Sequence, residues 1–130
     1  MIYQDSMYLG PMHSKELLKG TLSVIILKLL SERERMYGYE IYQHVKELSD
    51  GKILLKDGSL YPALQKMTSD GLLSFKEEHV GGRTRKYYYL TKKGQKEKVA
   101  YVDEVKDFIN TLNKIVFPEL VKYEAIQGLR

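Results

Sequence analysis

The segment SLYPALQK, residues 59–66, contains a serine hydroxyl, a phenol, an amide and an ammonium group within little more than two helical turns. At 100° per residue, Tyr61, Pro62, Gln65 and Lys66 lie on one side of a predicted helix, and the apolar residues lie on the other. Phenols and ammonium groups hydrogen-bond to phosphate oxygens, and amides and ammonium groups also bind base edges. The segment therefore predicts an outward helix face that contacts a partner outside the protein, and its groups suit a nucleic acid.

A second group of candidate residues lies in a strongly basic segment. Residues 76–98 hold eight Lys/Arg and three Asp/Glu, a net of +5, although the whole chain carries only +4. Arg83, Arg85 and Lys86 directly follow the pair Gly81–Gly82, so we expect them near the tip of a hairpin, in reach of phosphates. A concentrated positive charge favours a polyanionic partner, but a solvated hairpin has the same composition. The charge alone leaves both interpretations open.

The helix that positions the first group is predicted from about Ser59 to Asp70, where Gly71 stops it. With Ser59 as the N-cap, Pro62 is the third helical residue, where a missing N–H has no partner to lose. The proline is then compatible with the helix. Its predicted inward residues are Leu60, Ala63, Leu64 and Met67.

The neighbouring segments predict the remaining elements of the domain. An apolar periodicity predicts a first helix over about residues 15–32 with Ser14 as its N-cap, and a second helix starts at Gly38. Ile53 and Leu55 alternate with Lys52, Leu54 and Lys56, which predicts a very short strand over residues 52–56. Two strand-like runs flank Gly81–Gly82 and predict a β-hairpin.

Thr91 is the predicted N-cap of a long last helix, which Pro118 ends or bends. Apolar residues recur along this helix at spacings of three and four, which is typical of a narrow seam packed against a partner helix. We expect this seam to form a homodimer interface; the alternative is that it folds back on the first helix of its own chain. The predicted dimerisation residues are Val102, Val105, Phe108, Ile109, Leu112 and Val116.

This order of elements predicts a mostly α-helical fold with a small β-hairpin, a winged helix-turn-helix domain followed by a C-terminal dimerisation helix. In that fold the third helix enters the major groove of double-stranded DNA, and the hairpin, called the wing, follows the adjacent backbone. We predict an N-terminal arm over residues 1–12, a winged helix-turn-helix DNA-binding domain over 13–91, and a C-terminal helical dimerisation region over 92–130.

Four stretches of the chain also resemble PadR-type transcriptional regulators. They are LLKGTLSVIILKLL, MYGYEIYQHV, DGSLYPALQKMTSDGLL and GGRTRKYYYLTKKG, which together span roughly residues 15–94 in the family's order. The resemblance implies a dimeric DNA-binding repressor, relieved by a small effector, whose last helix forms much of the dimer contact. Two copies related by a two-fold axis would bind a pseudo-palindromic operator. It implies recognition-helix roles for Ser59, Tyr61 and Lys66, and wing roles for Arg83 and Arg85.

Composition argues against several other classes of protein. The chain has no cysteine, so a disulfide framework or a thiolate metal site is not available. Its three histidines are too far apart in sequence for metal-ligand spacing, and no catalytic triad, phosphate-binding loop or carboxylate pair can be recognised. We therefore predict a protein that is not an enzyme and needs no cofactor.

The start of the chain lacks the pattern of a signal peptide, and no apolar run is long enough to span a bilayer, so we expect a cytoplasmic location. One alternative function remains open from sequence. A winged-helix module can also bind proteins through the same helix face, without sequence-specific DNA binding. A wing used only for that purpose would not need Arg83, Arg85 and Lys86 together.

Overall fold

The computed structural model describes residue 13 and residues 15–128 of the chain. The predicted N-terminal arm and the predicted N-cap Ser14 lie outside the described residues. The chain divides into two compact units at the junction of Lys98 and Val99, which falls inside a helix.

The structure is mostly helical, with one small antiparallel sheet, as the sequence predicts. Its elements, in chain order, are α1 (Lys15–Lys19), α2 (Leu22–Glu32), β1 (Met36–Tyr37), α3 (Gly38–Leu48), α4 (Asp57–Ser69), β2 (Leu73–Val80), β3 (Arg83–Leu90), α5 (Lys92–Val116) and α6 (Pro118–Gly128).

The first predicted helix is two helices, because the chain turns at Gly20 and Thr21 between α1 and α2. Glycine is a poor helix former, which weakens the helix at that point. The N–H of Thr21 donates to the carbonyl of Leu18 at 3.0 Å, and its hydroxyl donates to the same oxygen at 3.2 Å. These local bonds close a turn in place of a continuous helix.

The sheet has the strand order β1-β3-β2, with both pairs antiparallel. Besides the two strands of the hairpin, the sheet contains β1, in which Met36 and Tyr37 pair with Tyr88 and Tyr87 of β3. The predicted short strand over residues 52–56 was wrong, because no strand lies between α3 and α4. The N–H of Ile53, near the start of this segment, instead donates a hydrogen bond to Ser49 Oγ at 2.9 Å.

The hydrophobic core of the first unit lies between α2, α3, α4 and one face of the sheet. Burial of these apolar side chains is the main force that holds the helices against the sheet. Most of the predicted inward face of α4 is confirmed, although Ala63 is only half-buried. The fully buried side chains of largest volume are Ile26, Leu27, Met36, Ile41, Leu60 and Leu64.

Helix α4 begins earlier than the sequence predicts, at Asp57, with Lys56 as its N-cap. The N–H groups of Ser59 and Leu60 donate to the Lys56 carbonyl at 2.9 and 2.8 Å, so Ser59 is already inside the first turn. An acidic first residue is favoured by the helix dipole. The predicted Ser59 N-cap and third-position Pro62 were therefore wrong, because Pro62 is an interior residue of α4.

Helix α4 ends at a Schellman motif, so the predicted stop at Gly71 is confirmed. The N–H of Leu72 donates to the Met67 carbonyl at 2.9 Å, and that of Gly71 donates to the Thr68 carbonyl at 3.0 Å. Gly71 has φ +80°, which glycine adopts without strain.

Thr91 is the N-cap of α5, as predicted. Its Oγ1 accepts a hydrogen bond from the Gly94 N–H at 3.0 Å, and it donates to the carbonyl of Gly71 at 2.6 Å. Pro118 begins α6, the position where its missing N–H has least effect. None of the helices within the described ranges is long and apolar enough to cross a membrane.

Candidate nucleic-acid interface

The outward side of α4 has the polar and aromatic surface that the sequence predicts. Pro62, Gln65 and Lys66 are exposed, and Tyr61 keeps 45% of its surface accessible although it is a large aromatic residue. Lys66 Nζ lies 3.2 Å from an oxygen of Asp70, one turn further along. Such an exposed pair is weak, so Lys66 can leave it for another anion.

The ring of Tyr61 lies against the N-terminus of α3, where Gly38 makes room for it. A Cβ on Gly38 would be 2.6 Å from Tyr61 Oη and 2.7 Å from the nearest ring carbon. The start of α3 is fixed by Glu40, whose Oε1 accepts from the N–H of Tyr37 at 3.0 Å. The motif YGYE therefore builds the support on which Tyr61 rests.

The β2–β3 hairpin brings the second group of candidate residues to its predicted place. Gly81 and Gly82 form the two-residue turn with φ +57° and +78°, the positive values that this turn type requires. Arg83 and Lys86 are exposed, and Arg85 is half-buried. The hairpin tip is therefore densely basic.

An open groove of about 980 Å³ lies between α4, the start of α3 and the hairpin. Its lining joins the two groups that the sequence predicts separately. The predicted residues in it are Tyr61, Gln65, Arg83, Arg85 and Lys86, whereas Ser59, Pro62 and Lys66 lie on α4 outside its lining.

Two of the three cations that line the groove, Arg85 and Lys86, lie over aromatic rings. Arg85 Cζ lies 4.4 Å from the ring centroid of Tyr37, and Lys86 Nζ lies 4.2 Å from that of Phe75. In the described part of the chain, none of the ion pairs includes Arg83, Arg85 or Lys86. Cation–π contacts orient these groups and leave their N–H donors available to an anion.

Tyr88 lies at the bottom of the groove and is nearly fully buried. Burial raises the pKa of Tyr88 above its usual value near 10, and the nearby Tyr61 phenol adds to the rise. Tyr88 therefore stays neutral at physiological pH and supplies an apolar floor beside Phe75, with ring centroids 6.1 Å apart. Tyr61 and the wing cations line the same groove around this floor.

Some residues in and near this groove could not be identified from the sequence. Gly38 and Phe75 line it, and each was predicted only as part of a helix start or a strand. Arg35 is outside the lining, pairs with Glu78 and lies over the ring of Tyr87, and no sequence pattern indicates this role. These roles depend on contacts between distant parts of the chain, for which a local pattern gives no signal.

Within the described ranges, no three His, Asp or Glu side chains are gathered as a metal ion would need. The groove's own chemistry is donation of hydrogen bonds and positive charge from two elements to an extended anion. A phosphodiester backbone with an adjacent base edge has that shape and charge.

Comparison with known proteins gives an independent assignment. The family model described as "Transcriptional regulator PadR-like family" matches residues 26–99, which include all of the groove's lining. The transcriptional regulator YqjI of Escherichia coli is 30% identical over 91 residues, which are 65% of this chain and 42% of that protein. The chain therefore spans less than half the length of this relative.

Solved structures agree with the family match. A transcriptional regulator from Clostridium thermocellum has a TM-score of 0.73 and 27% identity, over 78% of this chain and 99% of that chain. A PadR family transcriptional regulator from Eggerthella lenta has a TM-score of 0.66 and 30% identity, over 78% of this chain and 87% of that chain. From the family model, the fold and the groove together, this chain belongs to the PadR-like family of transcriptional regulators.

Proposed function

We propose that this regulator binds double-stranded DNA sequence-specifically, with α4 in the major groove and the β2–β3 wing along the neighbouring phosphate backbone. The observation that carries the proposal is the open groove, which places Tyr61 and Gln65 of α4 opposite three wing cations that have no acidic partner among the described residues. Double-stranded DNA offers both of the required features, base edges and closely spaced phosphates.

The groups divide into two roles by chemistry. Gln65 is the base reader, because its amide can bind an adenine edge through two hydrogen bonds. Tyr61 Oη donates to a phosphate at the edge of the major groove. The remaining residues contact phosphates or lie where α4 enters the major groove of the DNA. They are Ser59, Pro62, Lys66, Arg83, Arg85 and Lys86.

We propose further that two copies of the chain form a homodimer through α5. Phe108, Ile109, Leu112 and Val116 are each at least 40% exposed on this helix in the single chain, whereas Val102 and Val105 are half-buried. A long exposed apolar stripe is unusual for a monomer and typical of a protein interface. A two-fold dimer would read a pseudo-palindrome whose half-sites lie about one helical turn apart.

The regulatory direction is proposed from family membership alone. We propose a cytoplasmic repressor that excludes other proteins from its operator and is relieved by a small effector. The chain contains no tryptophan, so an aromatic effector would have to be held by other side chains.

The test begins with selection of bound duplexes from a random pool, followed by titration of the selected operator at several salt concentrations. We expect Gln65→Ala to relax the preference at particular base pairs by roughly 1–3 kcal/mol. Arg83→Ala should weaken all duplexes alike and lower the salt slope by about one, the value for one lost phosphate contact.

Two results would contradict this assignment. If Gln65→Ala weakened every duplex equally and left the selected motif unchanged, α4 would not read bases through this residue. If the wild-type chain selected no motif and bound duplexes without steep salt dependence, the winged-helix protein-interaction module would be the better function.

A further inference from the structure

Arg35 lies on the same side of the sheet as Arg85 but has a different set of contacts. Its Cζ lies 4.0 Å from the ring centroid of Tyr87, and its guanidinium pairs with Glu78 of β2. A hydrogen bond to Tyr89 raises the pKa of Arg35, burial opposes this rise, and the charge of Glu78 adds to it. Arg35 is therefore a permanent cation that binds a wing carboxylate.

Glu78 is the carboxylate that the hairpin places directly opposite Arg85. The two residues are partners in the antiparallel register. Side chains in such positions have Cβ atoms about 4.5–5.5 Å apart, and opposite charges there attract each other. By strand pairing alone, Glu78 would be expected to neutralise Arg85.

The structure has a different arrangement. Glu78 is bound by Arg35, while Arg85 Cζ lies 4.4 Å from the ring centroid of Tyr37, which also lines the groove. Tyr37 in turn contacts Tyr87 edge to face, with ring centroids 5.4 Å apart. The two arginines thus flank one tyrosine pair, and of the two only Arg35 has an acidic partner among the described residues.

We propose that Arg35 is a positioning residue that keeps Glu78 from pairing with Arg85, so that Arg85 is available to a DNA phosphate. This inference rests on the proposed function, because it assumes that Arg85 contacts the backbone. A carboxylate paired with Arg85 would compete with the phosphate for the same N–H donors and would also repel it. Arg35 prevents both effects without touching DNA itself.

The test is a double-mutant cycle on the full-length protein with the selected operator. The four proteins are the wild type, Arg35→Gln, Glu78→Gln and the double variant. We expect Arg35→Gln to bind roughly three- to tenfold more weakly at low salt, with a salt slope lower by about one. Glu78→Gln should bind as tightly as the wild type or more tightly, and the double variant should recover the affinity of Glu78→Gln.

Matched variants separate this role from general effects of charge and stability. Glu77→Gln removes the neighbouring acid, which is opposite Lys86, and should restore Arg35→Gln much less than Glu78→Gln does. Arg35→Lys keeps a cation near Glu78 and should bind close to the wild type. Arg35→Met retains a long side chain over Tyr87 and replaces Arg35→Gln in the cycle if the latter does not fold.

The proposal is overturned if the double variant binds as weakly as Arg35→Gln, or if Glu77→Gln restores binding equally well. Arg85→Gln distinguishes this failure from a failure of the proposed function. If Arg85→Gln binds the operator like the wild type, the wing contact itself is wrong. If Arg85→Gln is weak but Glu78→Gln restores nothing, only the role of Arg35 is wrong.

Discussion

Tyr61 owes its position to the absence of a side chain on Gly38. In Gly38→Ala the new Cβ would lie 2.6 Å from Tyr61 Oη, so the ring has to leave its place beside α3. We expect several-fold weaker operator binding. The free energy of unfolding should change by less than about 1 kcal/mol, because alanine favours the helix and the displaced ring is half-exposed. Operator titration and denaturant unfolding measure the two effects separately.

Gly58→Ala is the matched control, because Gly58 also lies in the first turn of a helix and a Cβ there meets nothing within 4 Å. It should leave operator binding unchanged. Equal binding by Gly38→Ala and the wild type would show that the position of Tyr61 has no importance for the DNA contact.

Pro62 removes one backbone hydrogen bond from α4, because it lies inside the helix and has no N–H to donate to the Gly58 carbonyl. An interior proline destabilises a helix by about 3 kcal/mol. It also stabilises the folded state by about 1 kcal/mol, because it lowers the conformational entropy of the unfolded chain. We expect Pro62→Ala to raise the free energy of unfolding by about 1–2 kcal/mol, measured by denaturant titration.

Pro118→Ala provides the comparison, since Pro118 is the first residue of α6 and its N–H would have no helical partner. Pro118→Ala should change the free energy of unfolding by less than about 1 kcal/mol. If Pro62→Ala changed the free energy of unfolding as little as Pro118→Ala does, the first turn of α4 would be too weakly formed for the proline to destabilise it.

At the scale of elements, the base of the wing and the start of α5 are in direct backbone contact at Gly94. A Cβ on Gly94 would lie 2.1 Å from the Leu72 carbonyl oxygen, which is backbone and cannot move aside alone. Gly94→Ala should therefore lower the free energy of unfolding by about 2–3 kcal/mol. Denaturant unfolding measures this, with Gly20→Ala, where a Cβ meets nothing within 4 Å, as the control. Unchanged stability in Gly94→Ala would contradict the close contact.

The hairpin and α5 could be predicted almost to the residue, because their ends are set by local chemistry. Gly81–Gly82 is a turn that few other residue pairs can form, and Thr91 is a good N-cap before a polar first turn. The face of α4 was also predictable, since Leu60 and Leu64 recur at helical spacing.

The errors concern features that local patterns do not encode. Helix α4 begins after Lys56, whose side chain makes no cap bond, so no N-cap residue marks the start. The strand Met36–Tyr37 has only two residues and exists because β3 offers it a free edge. The support of Tyr61 by Gly38 joins two helices, and no pattern within either one shows it.

At the scale of the whole molecule, the proposed dimer can be tested through the seam on α5. Ile109→Asp combined with Leu112→Asp places two charges where a partner helix would bury apolar surface. We expect folded monomers that lose operator binding, measured by sedimentation and by titration of the operator. Asn110→Asp with Thr111→Asp adds the same charge to exposed positions of the same helix and should leave the dimer intact.

If the double variant at Ile109 and Leu112 remained a folded dimer that binds its operator, α5 would not supply the contact through these residues. The two half-sites of the operator give a second check. A dimer requires both of them on the same duplex, so a half-site alone should bind much more weakly.

The basic segment 76–98, which includes most of the wing and the start of α5, bears on how fast the protein would find DNA. Residues 76–98 carry +5 and the whole chain +4, so the rest of the chain is slightly negative. Near a duplex, the protein would be attracted through residues 76–98 and weakly repelled through the rest of the chain. It would therefore rotate to face the DNA before contact. We therefore expect encounters with DNA to begin at this segment, and we expect the association rate to fall more steeply with salt than the dissociation rate rises.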